Sequence, residues 1–201
     1  IKYAACSVSN FNNLDGSIAE REIGRMEVVA RTGCGIITNQ GAYPDAERYG
    51  KAYVRQLSIA EDRFIPGFAR IADMIHDAGA LGVQQILHAG RYGGIDHKNC
   101  QQPSDVPQTL HHFRPPQAMG IEQIEKCIED HAQAARRSME AGFDGVEIHG
   151  ANGYLLDQFL PDGSNQRSDQ YGGPLEHRTR PPPSCCCTSR VRPFSSIKRA
   201  A

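Results

Sequence analysis

The feature that most constrains the fold is a repeated alternation between short apolar runs and amphipathic stretches with a helical period. The apolar runs predict strands at 1–6, 35–38, 83–88 and 144–149. The stretches between them predict helices at 18–30, 60–77 and 119–141. Strands and helices that alternate in this order form a parallel sheet with helices outside it, so we predict an α/β protein.

The segments that follow the strands favour one kind of parallel sheet over another. Each predicted strand leads into a polar or glycine-rich segment, and these segments are 6–7, 39–41, 88–91 and 149–152. In a (β/α)8 TIM barrel such segments converge on one face, where active sites form. A Rossmann-type sheet would need GxGxxG after its first strand, but Cys6-Ser-Val-Ser-Asn10 stands there. We therefore predict a TIM barrel, of which about the first four βα units are present.

Two local patterns predict details of the connections. Ser17 has the position of a helix cap, and Glu20 three residues later completes a capping box, so the first helix is expected to begin at Ile18. The stretch 103–116 is polar and contains prolines, which predicts a loop.

Residues 181–201 differ in character from the rest of the chain. The stretch 172–180 predicts the start of another helix, but the three prolines at 181–183 would end it. No hydrophobic period follows them. We interpret the change as the product of a frameshift in a GC-rich gene, with a disordered native tail as the alternative. The predicted division is therefore 1–180 as one domain unit and 181–201 as an aberrant or disordered tail.

Composition excludes several classes of function. Lys and Arg total 22 against 23 Asp and Glu, so no net basic field is available for nucleic acid or an acidic membrane surface. No apolar run approaches the ~18 residues that a membrane span needs. The cysteines lack CxxC spacing, and His111 and His112 lack a nearby third ligand, so no metal site is predicted. Free thiols of this kind are typical of a cytoplasmic protein.

The exit of the fourth predicted strand carries the most polar chemistry. The segment GFDGVEIHGANGYLLDQFL, residues 142–160, places His149, Asn152 and Tyr154 within six positions directly after an apolar strand. A strand does not need three different hydrogen-bonding side chains at its end. A structural histidine is the simpler alternative for His149 alone, but the cluster as a whole indicates an active site.

Four segments carry a resemblance to a known family. They are His88-Ala-Gly-Arg-Tyr92, the run 141–149, the run 150–156 and Asn165-Gln-Arg-Ser-Asp-Gln-Tyr-Gly-Gly173. In this order and spacing they resemble the old yellow enzyme family of NADH:flavin oxidoreductases, in its 2,4-dienoyl-CoA reductase-like branch. The resemblance implies that residues 1–180 are the N-terminal half of an FMN-binding TIM barrel.

The resemblance also implies roles for individual residues. His149 and Asn152 match a pair that binds the carbonyl oxygen of the substrate, and Tyr154 matches the proton donor. Gly41 matches a position where backbone approaches the flavin, and Gln85 matches a hydrogen-bond partner of its pyrimidine edge. The residues that match the segment along the flavin ring are Ala4, Ala5, Cys6 and Ser7.

The activity implied by the resemblance is that of an ene-reductase. Its cofactors would be FMN and, as hydride donor, NADH or NADPH. Its substrate would be a small molecule with an alkene conjugated to a carbonyl, namely an enone, enoate or enoyl thioester. Two alternatives stay open, a flavin-dependent amine demethylase or dehydrogenase of the same fold, and an inactive truncated fragment. A metal-dependent barrel hydrolase is disfavoured by the absence of clustered His and Asp ligands, and a homo-oligomer is left open.

Overall fold

The computed structural model describes residues 2–4, 9–107 and 114–181. Six strands and five α-helices are present in these ranges, with single 3-10 turns at Asp62–Phe64 and Gly90–Tyr92. The strands are β1 (Lys2–Ala4), β2 (Ile36–Ala42), β3 (Leu81–Ile86), β4 (Cys100–Gln102), β5 (Pro116–Ala118) and β6 (Gly145–Ile148). The helices are α1 (Glu20–Ala30), α2 (Ile65–Asp77), α3 (Ile121–Glu140), α4 (Leu155–Phe159) and α5 (Leu175–Arg178).

The main sheet is parallel and has the strand order β1-β2-β3-β6. Each long helix connects one strand to the next, and neighbouring strands follow in chain order without a reversal. A doubly wound sheet requires such a reversal, whereas successive units of a TIM barrel do not. The predicted α/β class and partial TIM barrel are therefore confirmed. The short strands β4 and β5 pair with each other outside this sheet.

The main hydrophobic core lies between this sheet and helices α1, α2 and α3. Phe68 and Ile75 of α2 are fully buried there, facing Ile37 of β2. Gly82 of β3 lies on the same side, because a Cβ at this position would meet Phe143 at 3.2 Å. Burial of each large apolar side chain contributes about 1.5–3 kcal/mol to stability, so the helix-facing side of the sheet is its best-anchored side.

The capping box predicted at Ser17 is wrong. Helix α1 begins at Glu20, and its N-cap residue Ala19 makes no side-chain capping bond. The Ser17 hydroxyl oxygen instead accepts from Asn13 Nδ2 at 2.9 Å, and its proton is donated to Asp15 Oδ1 at 2.7 Å, so the side chain is bonded within its own loop rather than to the helix. Negative charge from Glu20 and Glu22 in the first turn of α1 complements the helix dipole in place of a cap.

Other predicted boundaries shift by a few residues. Helix α2 begins at Ile65 rather than at 60, with Pro66 in its first turn, where a missing N–H costs nothing. Strand β2 extends to Ala42, four residues beyond the prediction. The predicted 103–116 loop carries the start of β5 at its end, and positions 108–113 lie outside the described residues.

The remaining expectations concern segments at the margins of the described ranges. Helix α5 lies within the stretch where another helix was predicted to start. Residues 182–201 fall outside the described ranges, so the interpretation of the tail stays a prediction. Within the ranges given above, each helix is too short or too polar to cross a bilayer.

Candidate active site

The exit of β6 is a tight turn held by backbone bonds to β3. The amide of His149 donates to the Ile86 carbonyl at 2.9 Å, so the strand pairing extends one residue past β6. Asn152 and Gly153 then adopt left-handed backbone angles, with φ of 59° and 72°. Asn and Gly are the residues that tolerate this region best. This turn therefore places Tyr154 beside His149, the residue at the strand end.

The turn brings Tyr154 against His149. Their ring centroids are 4.9 Å apart and the planes are nearly perpendicular. His149 Nδ1 accepts the Ala151 amide at 3.3 Å, so a neutral ring carries its proton on Nε2. Burial lowers the pKa of His149, against the opposing effect of the nearby Glu147 carboxylate. His149 is therefore a neutral hydrogen-bond donor through Nε2 at physiological pH.

The phenol of Tyr154 lies among three rings. Tyr92 contacts it edge-on, with ring centroids 5.9 Å apart. The Tyr53 hydroxyl lies 3.4 Å from the Tyr154 hydroxyl. Burial, and after it the Tyr53 hydroxyl, raise the pKa of Tyr154 above its ordinary value. Tyr154 therefore keeps its proton through the neutral range and can serve as an acid.

Gln158 of α4 joins this turn to the loop that follows β3. The buried Gln158 side chain donates to the Gly153 carbonyl at 2.6 Å and accepts the Arg91 amide at 3.3 Å. Gly90 makes room for it, because a Cβ there would lie 2.5 Å from Gln158 Nε2. This glutamine fixes the two strand exits relative to each other, and so positions Tyr154.

A second group of predicted residues lies on β2 and β3. Gln85 Nε2 donates to Glu147 Oε1 at 2.7 Å, which leaves Gln85 Oε1 buried and without a partner among the described residues. A buried acceptor without a partner costs about 1–3 kcal/mol. Gly41 adjoins it, because a Cβ at Gly41 would lie 2.9 Å from both Gln85 Oε1 and Leu87 Cβ. Gly41 is therefore packed directly against an unsatisfied amide oxygen.

These two residues fit the cofactor that the sequence resemblance implies. A flavin presents a ring N–H on its pyrimidine edge, which is the kind of donor that Gln85 Oε1 lacks. A flat ring can approach Gly41 closely because no side chain stands there. The residues present are therefore compatible with FMN, and Gln85 and Gly41 are the described residues that would hold its ring.

The structure says less about the other predicted site residues. Ala4 ends β1 and pairs with Thr38 of β2, while Ala5, Cys6 and Ser7 lie outside the described residues. Asn152 is exposed, and its side chain makes no hydrogen bond to the part of the chain that the structure describes. In the structure, His149 therefore contacts Tyr154 and Gly41 packs against Gln85. The Asn152 side chain makes no hydrogen bond within the described residues.

Sequence reasoning did not single out three residues of the site, namely Tyr53, Tyr92 and Gln158. Tyr92 ends the His88–Tyr92 segment quoted above, and Gln158 has helical spacing from Tyr154, so both carried a weak signal. Tyr53 carried none, since it lies 101 positions from Tyr154 and on no predicted strand or helix.

Comparisons with known proteins agree with this architecture. The model of the NADH:flavin oxidoreductase / NADH oxidase family matches residues 5–183. The NADH oxidase of Thermoanaerobacter brockii is 37% identical over 177 residues. The NADH:acrylate oxidoreductase of Vibrio harveyi is 40% identical over 169 residues. A 2-naphthoyl-CoA reductase, solved in complex with 2-naphthoyl-CoA, superposes with a TM-score of 0.89 at 33% identity.

These similarities cover most of this chain and a minor part of each relative. The Thermoanaerobacter match spans 87% of this chain and 27% of the relative, and the Vibrio match spans 82% and 16%. The 2-naphthoyl-CoA reductase match spans 94% of this chain and 30% of that structure. The chain therefore corresponds to less than a third of these relatives.

Proposed function

Because this chain belongs to the NADH:flavin oxidoreductase / NADH oxidase family, we propose that it carries the substrate-activating part of an FMN-dependent ene-reductase. The reaction is the NAD(P)H-driven reduction of a C=C bond conjugated to a carbonyl. The observation that carries the proposal is the contact between a neutral His149 and a protonated Tyr154 at the exit of β6. Residues 1–180 would then be the N-terminal half of the barrel.

FMN would be held at the carboxyl ends of the strands. Gln85 would accept a hydrogen bond from its ring, and Gly41 would let the ring lie against backbone. Ala4, at the end of β1, and the residues Ala5, Cys6 and Ser7 that follow it in sequence would lie along the ring. Bound FMN would supply hydride, which it receives from NADH or NADPH.

The residues at the β6 exit would act on the substrate. His149 Nε2–H and the Asn152 amide would donate to the carbonyl oxygen, where negative charge develops as hydride reaches the β-carbon. One such donor is worth about 3 kcal/mol of transition-state stabilisation. Tyr154 would supply the proton that the α-carbon needs. Two donors and an acid in one turn match the demands of this reaction.

The proposed substrate class is an enone, an enoate or an enoyl thioester. The name of the Vibrio relative contains an enoate, acrylate, and the solved neighbour binds an aromatic acyl thioester. Both carry unsaturation conjugated to a carbonyl group. We also propose a cytoplasmic location, since thiols without paired spacing are typical of a reducing compartment.

The test begins with the purified 201-residue chain and FMN. Flavin absorbance that survives gel filtration, and that NADH or NADPH bleaches, is expected if the Gln85–Gly41 region binds the cofactor. Addition of an enone or enoate should then restore the oxidised spectrum under anaerobic conditions. A colourless protein would refute FMN binding by this chain. Re-oxidation only by addition of molecular oxygen would refute the proposed substrate class, and turnover of a methylated amine would favour the demethylase alternative.

A further inference from the structure

We propose that Tyr53 relays protons from solvent to Tyr154, so that a pair of phenols rather than one supplies the α-carbon proton. The proposal rests on the function proposed above for Tyr154 and adds a second residue to it. Tyr53 would be a positioning and proton-transfer residue that need not touch the substrate.

The geometry places Tyr53 between Tyr154 and water. The two hydroxyl oxygens are 3.4 Å apart, within hydrogen-bond reach. Tyr53 is 39% exposed, whereas Tyr154 is half-buried between His149 and Tyr92. Since the two rings cover Tyr154 at its sides, the Tyr53 hydroxyl offers its phenol a hydrogen-bonded route to solvent.

The position of Tyr53 is built into the fold. Its carbonyl accepts the Gln56 amide at 3.1 Å, and the fully buried Gln56 side chain accepts the Ala52 amide at 2.8 Å. The same side chain donates to the Gly41 carbonyl at 3.3 Å. The turn that carries Tyr53 is thus tied to the backbone of the proposed flavin site, which is what a relay of fixed length requires.

The proton balance explains why a relay is useful. Once the β-carbon has received hydride, the former C=C electron pair is shared as an enolate. The α-carbon then takes the Tyr154 proton, so a C–H bond forms and an O–H bond breaks. The remaining phenolate sits in a half-buried position, where burial raises the pKa of Tyr154 and makes that charge costly. Tyr53 returns a proton to it and is itself reprotonated by water.

The kinetic test uses Tyr53→Phe, which keeps the ring and removes the hydroxyl. We expect reduction of bound FMN by NADH to stay within about twofold and enone reduction to fall at least tenfold in kcat, with an increased solvent deuterium isotope effect, because general acid catalysis is worth about 10²–10⁴. Reduction of a quinone, which is protonated on oxygen by water, should stay unchanged. Tyr49→Phe is the matched control, since its ring stacks on His97 away from Tyr154. Unchanged enone kcat and isotope effect in Tyr53→Phe would overturn the relay.

A second readout needs no turnover. Tyr154 is replaced by 3-fluorotyrosine, and its ionisation is followed by fluorine NMR in the wild-type background and with Tyr53→Phe. Because the two hydroxyls lie within hydrogen-bond reach, the pH at which the labelled phenol ionises should change once the Tyr53 hydroxyl is gone. An unchanged titration would show that the two hydroxyls do not interact, and would overturn the relay even if the wild-type chain proved inactive. Inactivity with the expected titration would count against the proposed function instead.

Discussion

A single methyl group at Gly41 should weaken FMN binding. The Cβ of Gly41→Ala would lie 2.9 Å from Gln85 Oε1 and 2.9 Å from Leu87 Cβ and Cδ1, closer than real Cβ contacts allow. Leu87 is 1% exposed and cannot move away, so Gln85 must shift and its amide oxygen leaves its position. A displaced Gln85 oxygen leaves the flavin N–H without its acceptor, and a buried donor left unpaired costs about 1–3 kcal/mol. Taken from the binding free energy, that cost corresponds to about a 5- to 150-fold weaker Kd.

The assay is titration of FMN fluorescence with the purified chain in buffer without denaturant. Circular dichroism first confirms that both variants are folded. Gly24→Ala is the matched control, because a Cβ at this helical glycine meets nothing within 4 Å. That control should leave the Kd for FMN unchanged. An equal Kd for Gly41→Ala and the wild-type chain would refute the assignment of Gly41 and Gln85 to the flavin site.

Three further predictions concern the active site and the buried titratable side chains. Tyr154→Phe should lower kcat for enone reduction by about 10²-fold or more while flavin reduction by NADH stays unchanged, as stopped-flow absorbance would reveal. His149→Ala should lower enone kcat by about 10²-fold, and wild-type rates with this substrate would contradict its role as a donor. Burial lowers the pKa of His88 to about 3 and that of His131 to about 4, and it raises the pKa of Asp45 to about 7. Between pH 6 and pH 5 the unfolded chain therefore binds protons at both histidines, whereas the folded chain binds one at Asp45. The free energy of unfolding should fall by about 1 kcal/mol over this range. Urea unfolding at both pH values tests this, and His131→Asn should nearly abolish the difference.

The order of strands and helices was predictable because it depends on local periodicity. Apolar runs and amphipathic stretches are properties of consecutive residues, and they led to the parallel sheet and the partial barrel that the structure has. Element boundaries were less predictable. Helix α1 begins after Ser17 because the Ser17 hydroxyl is already bonded to Asn13 and Asp15 within its loop, and those bonds depend on loop geometry rather than on residue spacing.

The sequence alone determined the composition of the turn after β6, where Asn152 and Gly153 permit left-handed backbone and Tyr154 follows at once. Tertiary structure alone decided what surrounds that tyrosine. Tyr53 reaches it from 101 positions away, because the segment after β2 folds over the carboxyl ends of the strands. The unsatisfied Gln85 oxygen likewise depends on the pairing of β3 with β6. That pairing places Glu147 beside Gln85, where its carboxylate accepts a hydrogen bond from the Gln85 amide nitrogen. Such contacts join distant segments, so no local pattern in the chain encodes them.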